Sequence, residues 1–421
     1  MQRTLALAAL IATSLGSYGA DWTEYRGPRH DGSTAEKIAT SWPATGPKVL
    51  WKVPSNAGFS SFAVAGGRCF TQELRDSGGA MLETLVARDA DTGKELWTMA
   101  LGSMKTGDGG DDGTKENRGG DGPRSTPAVQ GGRVYTFSAK LVVQAFDAKT
   151  GQEVWKRDLS KDHSGRNISW QNAQSPVIED GRVFVAGGGA GESLMALDVK
   201  TGAILWKTGD EKITHASPIV TTIHGVRQVV WFLQSGLVSV DPKTGAELWR
   251  HSFPYKVSTA ASPIVSGDLV YCSAGYGVGA GAAKVAKNGS QWTANEAYRF
   301  AGNKPLANHW STPVLKDGHL FGMFQFKEYG NGPVKCVDIA TGTVKWEQPG
   351  FGPGHVILTA SGVLALSDDG HLVLIDTNTS AYKELARADV LDGKCWTTPV
   401  LANGKVFARS TKEAVCLDLG R

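Results

Sequence analysis

The chain has 421 residues, 41% of them hydrophobic and 20% charged, with a formal net charge of +3. That balance suits a globular protein and excludes a nucleic-acid partner drawn in by bulk charge. The 53 glycines point to many tight turns rather than long helices, and the length allows one large all-β unit.

The chain opens with MQRTLALAALIATSLGSYGADW: Arg3, an apolar run from Leu5 to Leu15, then small residues. So short a run does not span a bilayer, and this order of parts is that of a secretory signal. Ser17 and Gly19 suit the −3 and −1 positions, so residues 1–19 are expected to be removed after Gly19. No cysteine lies at the junction, so no lipoprotein anchor is expected. The mature chain is expected to be periplasmic or secreted, without a transmembrane segment. Residues 20–45, with DWTEYRGPRHDG at Asp21–Gly32, are read as an N-terminal extension, and 46–421 as one repeat domain.

The repeat is explicit. DADTGKELW (Asp89–Trp97) returns as DAKTGQEVW (Asp147–Trp155), DVKTGAILW (Asp198–Trp206), DPKTGAELW (Asp241–Trp249) and DIATGTVKW (Asp338–Trp346). A strand-like run precedes each Asp, and a short strand carrying the Trp follows each Thr-Gly, which predicts a β-hairpin. The Asp carboxylate accepts bonds from the turn's own amides, and Gly takes the φ > 0 position. The Trp then covers the gap to a neighbouring sheet.

Upstream of each hairpin a Ser/Thr-Pro opens a strand, as at Pro127, Pro176, Pro218, Pro263, Pro313 and Pro399. Proline at the first residue of a strand leaves no ladder bond unmade. Each unit therefore holds four antiparallel strands, about the length of a propeller blade. Five units carry the Trp. A sixth has Tyr298 at the Trp place, with Trp292 expected in its turn, and a seventh has Ala386 there. The last unit, at the C-terminus, is one strand short, and PKVLWKV near the N-terminus supplies the missing strand with Trp51. The fold class expected is all-β, an eight-bladed β-propeller closed by its N-terminal strand.

These Asp-x-x-Thr-Gly-x-x-x-Trp hairpins with Ser/Thr-Pro strands resemble the pyrroloquinoline-quinone-type (PQQ-like) propeller repeat. That repeat is shared by quinoprotein alcohol dehydrogenases and by BamB, the outer-membrane assembly propeller. DWTEYRGPRHDG resembles the opening of a group of exported PQQ-like repeat proteins. The resemblance implies a non-catalytic, monomeric scaffold that binds another exported or envelope protein or a small anionic ligand. The alternative it implies is a PQQ-dependent dehydrogenase oxidising alcohols or sugars, with PQQ and calcium as cofactors.

Strand order places the outer-to-inner connections on one face, around the channel mouth. Three residues before each strand-opening proline or its equivalent stand Phe59, Arg124, Ala173, His215, Ala260, Trp310, His355 and Trp396. Arg124, His215, Trp310, His355 and Trp396 are therefore expected to surround one axis as a ligand or partner site. Arginine offers paired donors to a carboxylate, and tryptophan faces stack flat ligands or anchor a peptide. The rim is expected to contribute little to blade packing.

No catalytic residue and no metal ligand is assigned. The adjacent Cys-Cys pair of the dehydrogenases is absent, and Asn172, Asn308 and Asp392 are oxygen donors with no recognisable ligand spacing. The acidic segment Gly107–Arg124 fails a calcium-loop pattern, with glycine at two coordinating positions. Of the five cysteines, Cys69, Cys272, Cys336 and Cys416 fall in apolar alternation as buried strand residues, while Cys395 falls in a loop and is expected to be the reactive one.

Overall fold

The computed structural model describes residues 20–104, 122–324 and 331–420. Among these residues lie eight four-stranded antiparallel sheets and one short helix, Leu159–Asp162. In seven sheets the strands follow chain order from first to fourth. The eighth joins both ends of the chain: Lys48–Pro54 pairs with Glu413–Asp418. The architecture is the expected eight-bladed propeller, closed by the expected strand. The proposed signal peptide and residues 107–121 of the acidic segment lie outside the described residues.

One register row crosses every blade. In blade 2 it runs Ala128, Tyr135, Ala145, Trp155, with a bulge beside Ala145 on the outer pair. The same row ends on Tyr298 in blade 5, Ala386 in blade 7 and Trp51 in blade 8. Tyr298 thus stands in register, as expected. Trp292 does not lie in a turn: it pairs with Lys287 inside the outer strand Gln291–Phe300. The hairpin of blade 5 is longer than the sequence implied, and the half-buried Trp292 ring packs 6.2 Å from His224 of blade 4.

The repeat phrase couples neighbouring blades. Asp89 Oδ1 accepts the amides of Asp91 and Thr92 and the Thr92 hydroxyl, at 3.1, 2.9 and 2.8 Å. Trp51 of blade 8 lies over the following Gly93, and its indole N–H donates to Ala90 O at 3.0 Å. Trp97, Trp155 and Trp206 repeat this on Ala148, Val199 and Pro242 of the next blade. Each of these four rings is therefore received by the turn of the blade after it.

A second belt runs around the axis, formed by the residue before each inner-strand proline or, in blade 1, before Phe62. Ser61 N donates to Thr126 Oγ1 (3.0 Å), Thr126 N to Ser175 Oγ (2.9 Å) and Ser175 N to Ser217 Oγ (2.8 Å). Ser262 N donates to Thr312 Oγ1 (3.0 Å), and Ser61 Oγ donates to Thr398 O across the closure. The Ser/Thr of the Ser/Thr-Pro repeat thus supplies an acceptor that reaches between blades.

The N-terminal segment 20–39 enters the ring from the turn face. Trp22 bridges Val64 of blade 1, Val129 N donates to Thr23 O, and Ile178 N donates to the Glu24 carboxylate. Arg26 donates to Thr312 O and Pro313 O of blade 6, and Gly32 and Thr34 bond Leu358 of blade 7. Glu24, Arg26 and His30 are all buried. Burial lowers the basicity of His30, but Glu24, 3.3 Å away, more than offsets this and holds the imidazole above its ordinary value. Buried charges persist when paired and hydrogen-bonded, as here.

The closure seam carries a charged network that no repeat encodes. Arg409 of blade 8 is fully buried and donates to Ser55, Ser60 O and Gln72 O. Burial would raise the Glu73 carboxyl, but Arg409, Asn56 and Arg75 together hold it below its usual range. All five cysteines are buried free thiols. Cys395 corrects the sequence expectation: it is buried, and desolvation with Asp368 nearby pushes its thiol well up, so it is not a reactive thiolate.

Candidate functional site: the propeller mouth

The belt forms the floor of a mouth whose walls are the outer-to-inner connections. The common register places Phe59, Arg124, Ala173, His215, Ala260, Trp310 and Trp396 at one equivalent position, three residues before the inner-strand proline or, in blade 1, Phe62. His355 does not belong with them. In blade 7 the row runs Ile357, Leu364, Leu374, Ala386, so Val356 takes the proline place and His355 the belt place. Pro353 is the true rim equivalent. His355 Nδ1 lies 3.2 Å from Thr398 Oγ1 in the belt. Burial, aided by Arg26, lowers its pKa to about 4, so it is neutral. Valine carries none of proline's register information, which is why the sequence misplaced this residue.

The remaining rim side chains divide into two arcs. One is aromatic: Tyr276–His309, His309–Trp310, Trp310–Trp396 and Trp396–Phe59 have ring centroids 4.8, 4.6, 4.7 and 5.1 Å apart. The small Pro353 of blade 7 lets the indoles of blades 6 and 8 meet, and Trp310 Nε1 donates to Pro353 O at 3.2 Å. Lys394 Nζ sits 4.5 Å from the Trp396 ring. Trp396 is buried, so this arc contributes to packing, contrary to the expectation of an energetically idle rim.

The other arc is polar. Arg124 donates to Trp170 O at 2.7 Å, and His215 Nε2 lies 2.8 Å from Gln171 O. Burial and then Arg124 lower the His215 pKa to about 3, leaving a neutral imidazole that donates to Gln171. The His215 and His355 imidazoles therefore add no positive charge to the mouth, where Arg124 is half-buried and Lys394 is buried against Trp396. Trp170 and Tyr276 are large exposed aromatics that the sequence did not single out. Tyr276 was legible as an aromatic between two glycines, Gly275 and Gly277, where no strand buries it.

The three oxygen donors named from the sequence, Asn172, Asn308 and Asp392, are not arranged to hold calcium beside a quinone. Asn172 spends its amide on the carbonyls of Phe137, Ser138 and Gln174 and its oxygen on Gln174 N. Asn308 is tied to Met323 O and Tyr271 OH, and Asp392 is exposed. Among the described residues no three His, Cys, Asp or Glu converge. The Trp310 and Trp396 rings already touch, so no planar ligand lies between them without displacing one. On the opposite face, the segment 20–39 leaves a cleft of about 120 Å³ against blades 4 and 5, lined by Arg26, Arg29, His30 and Asp31. That is small beside ordinary ligand pockets.

Residues 81–322 match the family model described as outer membrane protein assembly factor BamB. The chain is 32% identical over 296 residues to a protein of that description from Yersinia pestis, covering 66% of this chain and 69% of that one. It is 27% identical over 262 residues to another from Shewanella oneidensis, where the match covers 58% of this chain but 62% of the relative. The chain thus spans less than two thirds of that relative's length. Among solved structures, a quinohemoprotein alcohol dehydrogenase from Pseudomonas putida HK5 superposes with a TM-score of 0.63 at 13% identity, over 95% of this chain and 80% of that one. At that identity the likeness is one of fold.

Proposed function

Because the chain belongs to the family described as outer membrane protein assembly factor BamB, we propose that it is an exported scaffold whose mouth docks a segment of another envelope protein. On this reading residues 1–19 are removed on export and the processed chain works as a monomer without catalytic chemistry. The observation that carries it is the asymmetry of the two faces. The turn face is filled by the N-terminal segment, whereas the mouth presents the exposed Trp170 and Tyr276, with the half-buried Arg124 bonded to the Trp170 carbonyl. Exposed aromatics with a neighbouring arginine are the usual anchors of a protein interface, giving large contact area at low entropic cost. An acidic, aromatic or apolar segment matches that chemistry.

The test replaces Trp170 and Tyr276 together by Ala, both exposed and so removable without opening the core. Envelope proteins cross-linked to the wild-type mouth should be lost from the double variant while the melting temperature stays within about 2 °C. Equal cross-linking by both proteins refutes the mouth as the docking face. Saturable uptake of PQQ with calcium, coupled to dye reduction by alcohols or sugars, would instead establish the dehydrogenase.

A further inference from the structure

The backbone nitrogen of Ala20 lies 3.0 Å from Glu36 Oε1. The same carboxylate accepts Asn403 N at 3.1 Å on Oε1 and Gly404 N at 2.7 Å on Oε2. Asp21 extends the arrangement, accepting Asn403 Nδ2 at 3.0 Å. Glu36 therefore binds the nitrogen of Ala20 and the blade 8 turn together, and Asp21 holds the side chain of that same turn. Glu36 itself is fixed, because Ala360 N donates to its carbonyl and the neighbouring Ile38 is held by Ser361. A neutral amide at residue 20 uses this acidic seat poorly, since it offers one proton and no charge.

We propose that Glu36 is the receptor for a new α-ammonium group at Ala20, created by cleavage after Gly19, and that this ion pair latches the N-terminal segment into the ring. The proposal rests on the export reading above. Hydrolysis by an endopeptidase adds one water across the 19–20 peptide bond, leaving a carboxylate on Gly19 and an amine on Ala20 that takes up a proton. That ammonium offers up to three donors and a full charge to Glu36, a charge-assisted contact stronger than the amide bond it replaces. Processing then strengthens a hold that already exists: the amide bond from Ala20 to Glu36 becomes an ion pair at the first residue of the segment that spans the inner strands.

The experiment has two readouts on protein recovered from the envelope. Intact mass reports the cleaved bond, and a chain of residues 20–421 is expected. The acylation rate of the terminal amine at neutral pH reports the seat. It should be about tenfold slower in the wild type than in Glu36→Gln, the factor that one unit of amine pKa gives. A chain with one extra glycine before Ala20 keeps Glu36 intact but moves the amine by about 3.8 Å. It should acylate as fast as Glu36→Gln, which separates the seat from any misfolding of that variant. A full-length chain left in the cytoplasm would overturn both this proposal and export. Cleavage in the envelope at another bond, or equal acylation in all three proteins, would overturn the seat and leave export standing.

Discussion

Trp206 of blade 3 rests on Gly245 of blade 4: a Cβ added to that glycine would lie 2.5 Å from the indole ring. Gly245 has φ +72°, so the turn needs glycine for its backbone and the tryptophan needs it for space. Trp206→Ala should cost about 3–5 kcal/mol, as large aromatic truncations do. Gly245→Ala should cost about 2–4 kcal/mol from left-handed strain and overpacking. The two residues act on one contact, so the double variant should lose less than the sum, measured by urea denaturation. Strict additivity would mean that the ring and the turn are independent.

Trp292→Ala should cost about 1–2 kcal/mol, between the surface value and that of a buried repeat tryptophan. The ring is half-buried and touches His224, so its loss should be felt mainly between blades 4 and 5. A loss equal to that of Trp206→Ala would mean the two rings are buried alike.

Arg409→Met should destabilise by about 3–5 kcal/mol, because it leaves the buried carbonyls of Ser60 and Gln72 without their donor and removes a charge that, with Arg75, holds the buried Glu73 ionised. Deleting Lys48–Val53, which removes the outer strand of the same blade, should unfold the ring rather than fray it. Full cooperativity of the deletion variant in calorimetry, at the wild-type melting temperature, would show that closure is dispensable.

Glu83 is buried between blades 1 and 2, and desolvation raises its pKa to about 7 although Ala139 N donates to it at 2.9 Å. Between its ordinary value and 7 the folded chain holds a proton that the unfolded chain has released, so stability should fall as pH rises through that window. Glu83→Gln keeps an acceptor and removes the titration. Its melting temperature should exceed that of the wild type at pH 8 and approach it at pH 4.5. A constant difference at both pH values would remove Glu83 from the explanation.

What the sequence made legible is what it repeats. Asp147, Thr150 and Trp155 do work that most copies share, so position alone reveals their role, and even Tyr298 is found by register. Arg409, Glu73, Glu24 and Arg26 occur once, and their partners lie far away in the chain, so no pattern announces them. His355 was misplaced where valine stands for proline, and Cys395 where a loop folds inward instead of facing water. That the connections share one face follows from strand order, but their division into aromatic and polar arcs depends on side-chain contacts between connections of different blades.

The passing of each aromatic ring to the next turn gives the circle a direction, and the exceptions obey it. Blade 5 lacks the Asp-x-x-Thr-Gly turn, and Trp249 of blade 4 donates instead to Gln228 of its own blade at 2.6 Å. Blade 8 has chain ends where the others have a turn, and blade 7 carries Ala386 in place of the ring. Units of this kind behave like dominoes: any two join if the trailing half of one suits the leading half of the next. Duplication or loss of a whole unit during descent would preserve every joint among the regular blades. The junctions between blades 7 and 8 and between blades 4 and 5 are the ones that cannot be shuffled, and they record where this ring stopped being interchangeable.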